Sequence, residues 1–185
     1  MKTKFFLAML ILVFVGTAVH AVDVNGILAQ GEYAKEATFD NGNYRLLWSV
    51  VGDKLFMAID AKASGWVAVG FEPSVAMANA DMVFGIVDAS GAAKCVDAWA
   101  TGMFGPHPPD VDQGGRDNIL SFAGKRSGDR VVFEFSRLLN TGDKFDKVLP
   151  ATGTVKLIFS YSSSLQFNVK HSKAGSAVID MGGSK

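Results

Sequence analysis

Apolar and polar residues alternate along most of this chain, in short runs broken by Gly, Asn and Asp. A period of two belongs to strands with one buried face, whereas a surface helix repeats its apolar residues every three to four positions. The alternation predicts strands at Tyr44 to Ser49, Leu55 to Asp60, Trp66 to Phe71, Met82 to Val87 and Lys94 to Trp99. Asn118 to Ala123 and Arg130 to Phe135 flank Ser127-Gly128-Asp129 and read as a hairpin. Val155 to Tyr161 and Ala177 to Met181 complete the set. No stretch of a dozen residues carries a capped helical stripe, and Leu138-Leu139 is expected in at most one short helical turn. Many short strands with regular turn signals argue for an all-β sandwich. The long irregular stretch is Gly102 to Asp117, rich in Pro, Gly and Asp, and connections of that length often carry function.

The first 21 residues do not fit the pattern. Lys2 and Lys4 precede the uncharged apolar run Phe5 to Val15, and Val19-His20-Ala21 supplies a cleavage signature, so residues 1–21 are expected to be a signal peptide. The run falls short of the roughly 20 apolar residues that a membrane span needs, and no later segment reaches that length, so no membrane span is expected in the mature chain. Residues 22–185 would then form one domain, exported to the periplasm or secreted. Loss of Lys2 and Lys4 leaves 16 of the 18 basic residues against 18 acidic ones. With no clustered basic stripe, nucleic acid is not an expected partner.

Motifs for common chemistries are absent. There is no Gly-x-Ser-x-Gly, no P-loop and no His-Glu-x-x-His, so the chain is expected not to be an enzyme. Cys95 is the only cysteine, which excludes an internal disulfide and a Cys-x-x-Cys-His haem attachment. Asp81 and Asp97 read as turn or capping carboxylates, and Asp110 and Asp112 as a pair in a solvated turn. Met82 falls inside a strand and reads as core.

Gly65-Trp66-Val67-Ala68-Val69-Gly70-Phe71, followed by Met77-Ala78-Asn79-Ala80-Asp81, resembles the hallmark strand and loop of the DOMON domain family. Asp97, Pro108-Pro109-Asp110, Phe135-Ser136-Arg137 and Thr141-Gly142-Asp143 are similar to family positions in order and spacing, and the likeness runs over roughly residues 26 to 181. The resemblance implies an immunoglobulin-like β-sandwich. It also implies one of two functions: haem b binding with Met and His as axial ligands, or binding of sugars and other small molecules. The haem-binding kind is similar to the cytochrome domain of cellobiose dehydrogenase and to the haem subunit of molybdenum hydrocarbon dehydrogenases, where a Lys can replace the His.

The leading expectation is an exported electron-transfer protein holding non-covalent haem b between Met77 and His171 and exchanging electrons with a redox partner protein of unknown identity. Met and His on opposite faces leave no open site on the iron, which suits electron transfer. Sandwich loops gathered at one end could bring these two residues together. Lys170, Met103 and His107 are the alternative ligands, the last lying between prolines in Gly-Pro-His-Pro-Pro. Trp66, Phe71, Phe84, Trp99, Phe104 and Phe167 are candidates for an apolar haem pocket, with ordinary core as their other reading. The alternatives are a non-catalytic binding module for a sugar or small ligand, and an accessory subunit of a larger redox complex.

Overall fold

The computed structural model describes residues 22–182; the signal segment expected over 1–21 lies outside the described residues. Among the described residues, ten strands form two five-stranded antiparallel sheets packed as a sandwich. In chain order they are β1 (Lys35–Phe39), β2 (Tyr44–Val51), β3 (Lys54–Ala61), β4 (Val67–Phe71), β5 (Asp81–Val87), β6 (Ala93–Trp99), β7 (Ile119–Ser127), β8 (Arg130–Leu138), β9 (Thr154–Tyr161) and β10 (Lys173–Asp180). One sheet has the order β1-β2-β3-β8-β7 and the other β10-β9-β4-β5-β6. Helix among the described residues is confined to short 3-10 turns at Asp40–Gly42 and Asp110–Gln113. The turn expected at Leu138-Leu139 is replaced by the end of β8, where Leu138 pairs with Lys54.

Alternation sorts each strand between two environments. Val67, Val69 and Phe71 of β4 and Val83 and Val87 of β5 point between the sheets, into a core shared with Leu46, Met57, Phe133 and Phe135. Gly85 also faces inward: a Cβ there would come within 2.2 Å of the Phe133 ring, so glycine makes room for that ring. The opposite faces of β4 and β5 are apolar too. Trp66, Ala68, Met82, Phe84 and Ile86 form a second cluster on the outer side of this sheet. Every residue of β4 and β5 is therefore buried. An antiparallel sheet more often presents one face to water, so something must cover this one, and loops do.

A further cover protects the other sheet. Glu134 on β8 accepts hydrogen bonds from the backbone N–H groups of Asn25 and Gly26 and from the Tyr33 hydroxyl, the last at 2.7 Å. Glu32 accepts from the N–H groups of Asp23 and Ala29. Residues 22–34 thus lie over the outer face of β2 and β3, packing Val22 and Leu28 near Leu47 and Phe56.

Candidate functional site

The site grows from the pairing register. Phe71 at the end of β4 pairs with Asp81 at the start of β5, and Asp81 pairs with Trp99 at the end of β6. The β4–β5 loop, which carries Met77, and the β6–β7 loop, which carries His107, therefore leave the sheet at the same end. Val67 at the other end of β4 pairs with Tyr161, the last residue of β9. The β9–β10 loop, with Phe167 and His171, leaves from that opposite end. The three loops fold over the outer face of the sheet and enclose a cavity of about 690 Å³. The expected gathering of loops at one end of the sandwich is thus corrected: the loops approach from both ends and meet over the sheet face.

Met82 and Phe84 of β5 form the floor, and Trp66 closes the end nearest β9. Met77, Phe104, the stretch Gly105 to Pro109, Ser160, Phe167, Asn168, Lys170 and His171 complete the lining. Phe84 packs edge-on against Trp66 at 5.2 Å between ring centroids, and lies 4.9 Å from His107 and 5.6 Å from Phe167. Phe104 is 87% exposed and stands at the mouth. The lining is mostly apolar with a few polar groups, and its volume falls in the roughly 300–1,000 Å³ span usual for small-molecule and cofactor sites.

Local bonding holds each donor in place. Ser74 accepts from Asn79 and donates to the Ala78 carbonyl at 3.0 Å, while Asn79 N–H donates to Ala100 at 2.8 Å and Met77 N–H to Met103. Ala76 and Asn79 take positive φ, 52° and 59°, which turns the chain sharply on either side of Met77. The His107 loop is pinned on both sides: Thr101 donates to Pro106, and Trp99 N–H and Gln113 donate to Pro108. Trp66 N–H donates to Ser164 and its carbonyl accepts from Ser162, fixing the start of the His171 loop. Gly65 is obligatory there, because a Cβ would sit 2.0 Å from the Ser164 carbonyl oxygen.

Burial lowers the pKa of His107, and its neighbour His171 lowers it further. Burial and adjacent Lys170 lower that of His171. Both shifts favour the neutral imidazole, the form that binds metals. The Trp66 indole N–H is buried without a partner among the described residues. The cavity thus offers thioethers and imidazoles within a mostly apolar lining.

Several expected site residues lie elsewhere. Phe71 belongs to the core between the sheets, where the Arg137 guanidinium lies 5.9 Å from its ring; alternation at β4 sends it to the face opposite Trp66. Trp99 packs on Phe145 and under Lys147, away from the cavity. Met103 is exposed and contributes only its backbone carbonyl, to Met77 N–H. Met82 is buried as expected, but on the cavity floor rather than between the sheets.

A second polar group sits at the β6-end of the sandwich. Arg137, 1% exposed, pairs with Asp81 at 2.5 Å and lies 3.5 Å from Asp146. Carboxylate oxygens of Asp81, Asp97 and Asp146 lie within 4.8 Å of one another. Asp110 is fully buried beside them with neither oxygen hydrogen-bonded, and Asp97 and Asn118 each leave one buried oxygen unpaired. Asp81 and Asp97 are thus members of a buried cluster, not the turn carboxylates expected from sequence. Burial raises the pKa of Asp81 to about 6, of Asp97 to about 7 and of Asp110 to about 8, with the other carboxylates adding to the rise at Asp110.

Comparison with known proteins agrees with this architecture. The DOMON domain model matches residues 40–162. MOXD1 homolog 2 of Drosophila melanogaster is 30% identical over 65% of this chain and 15% of its own length. DBH-like monooxygenase protein 1 of Mus musculus is 36% identical over 65% of this chain and 18% of its own length. The chain therefore spans only a small part of the curated relatives it matches. The cytochrome domain of Myriococcum thermophilum cellobiose dehydrogenase shares the fold, with a TM-score of 0.54 and 7% identity over 79% of this chain and 80% of that one. The expectation that the chain is not an enzyme is corrected by these matches, because relatives bear the name monooxygenase. The matched share of those relatives is too small to assign their activity to this chain.

Proposed function

The chain belongs to the DOMON domain family, and we propose that it binds haem b in the cavity over the β4–β5–β9 face and transfers single electrons there. One observation carries this reading: Met77 and His171 line one apolar cavity and come from loops that leave opposite ends of the sheet. A flat group seated between those loops would meet a sulfur donor on one face and a nitrogen donor on the other. The donors present fit haem. Burial and Lys170 favour the neutral imidazole of His171, and the floor and walls are largely aromatic and apolar. Similarity of fold to a cytochrome domain adds support.

Bound iron supplies one-electron redox chemistry, and Met ligation favours its reduced state. The residues do the rest. His171 and Met77 would hold the iron, Phe84 and Phe167 would shield it from water, and exposed Phe104 marks the mouth at which a redox partner protein would dock. Lys170 stands beside His171 as a second nitrogen donor, which binds only after losing its proton. Export, with residues 1–21 removed, is part of the proposal; among the described residues no helix is long and apolar enough to cross a membrane.

Reconstitution with haem b tests the proposal. The expected result is one haem per chain, with a reducible low-spin spectrum and sharp α and β bands. A chain that stays colourless in excess haem, or binds glycans in its place, would overturn it.

A further inference from the structure

We propose that His107 is a third iron-ligating residue of this cavity, exchanging with Met77 as the partner of His171, so that the site holds haem in two ligation states. The proposal rests on the haem reading above. His107 lines the same cavity as Met77 and His171, and its ring lies 4.9 Å from Phe84 and 6.4 Å from Phe167, two of the walls. The β6–β7 loop that carries His107 leaves the sheet at the end from which the Met77 loop also leaves, and Met77 N–H bonds directly to the Met103 carbonyl of that loop. The shared sheet end and this bond bring the Met77 and His107 loops together at the cavity, and in the proposal the two donors compete there for one face of the ligand.

Prolines at 106 and 108, with hydrogen bonds to both of their carbonyls, hold His107 at the cavity with little freedom to swing out. The half-buried ring is thus held against the cavity by its own loop. In the exchange the iron–sulfur bond breaks and an iron–nitrogen bond forms; the oxidation state is unchanged and the thioether is left free. Nitrogen in place of thioether favours the oxidised state, so the two states would differ in reduction potential.

The test uses haem-loaded full chains: wild type, Met77→Leu, His107→Gln and the double variant, each checked for folding by circular dichroism. Haem stoichiometry, ferric electron paramagnetic resonance and carbon monoxide binding are read. We expect Met77→Leu to keep one haem in a low-spin, bis-nitrogen state that resists carbon monoxide. The double variant should turn high-spin and bind carbon monoxide at least about tenfold faster. If Met77→Leu is itself high-spin and His107→Gln adds nothing, His107 is not a ligand although the haem reading stands. If wild type binds no haem, both fall. Should Met77→Leu not fold, Met77→Ser carries the same comparison.

Discussion

Met77 and His171 border the same cavity, yet the loops that carry them leave opposite ends of β4. Their opposition follows from strand pairing. The Met77 loop follows Phe71 at one end of β4, the His171 loop follows Tyr161, which pairs with Val67 at the other end, and both fold inward over the apolar outer face of β4 and β5.

Replacing His171 with Ala is expected to weaken haem retention by about tenfold or more, about 1.4 kcal/mol or above. Replacing Met77 is expected to keep haem and lower the reduction potential, through loss of the thioether. Haem titration and potentiometry on the two variants measure these effects separately.

Stability should fall as pH rises from about 4 to about 8 through the Asp81, Asp97 and Asp110 cluster. Their folded pKa values are raised to about 6, 7 and 8 by burial. Between the unfolded and folded values the native chain holds more protons than the unfolded one, so this contribution is complete at low pH and lost on raising it. Asp110→Asn should flatten the slope and stabilise the protein at pH 8 by about 1–3 kcal/mol, because it replaces a buried unpaired carboxylate. Urea unfolding across that range checks both.

Two glycine variants separate core from cavity. Gly85→Ala drives a methyl into Phe133 and should cost about 1–3 kcal/mol of stability, leaving the cavity loops in place. Gly65→Ala clashes with the Ser164 backbone and should displace the loop that bears His171, reducing haem binding more than stability. Thermal unfolding of the apoprotein beside haem titration distinguishes the two.

Glu134→Leu should release residues 22–34. The carboxylate is fully buried and holds two backbone N–H groups and the Tyr33 hydroxyl. Leaving those donors unpaired costs about 1–3 kcal/mol locally. Hydrogen exchange should speed up in that segment and stay unchanged in β4 and β5.

The strands with one apolar face were legible from alternation, as was the β7–β8 hairpin at Ser127 to Arg130. β1 was not, because Lys35-Glu36-Ala37-Thr38-Phe39 is mostly polar and gains its place by pairing with β2. Residues 22–34 gave no periodic signal, since they attach through backbone groups to Glu134 rather than through a patterned face. Met77, His107, His171 and Lys170 were all named from sequence, and the structure sets them on one cavity. The sides they approach from were not readable, because strand order across a sheet is set by pairing between distant segments. The carboxylate cluster was hidden for the same reason: its members lie on β5, β6 and two loops, and no local spacing joins them to Arg137. Phe71 was misassigned because strand period tells that neighbours face opposite ways, not which face holds the cavity.

The five residues of β4 also act as a gauge. At about 3.4 Å per residue, the strand sets the loops roughly 14 Å apart at their roots. Lengthening β4 and its partners by two residues would keep every side chain on its own face and widen that gap by about 7 Å. The jaws would then reach for a thicker guest, while the sandwich beneath them stayed the same.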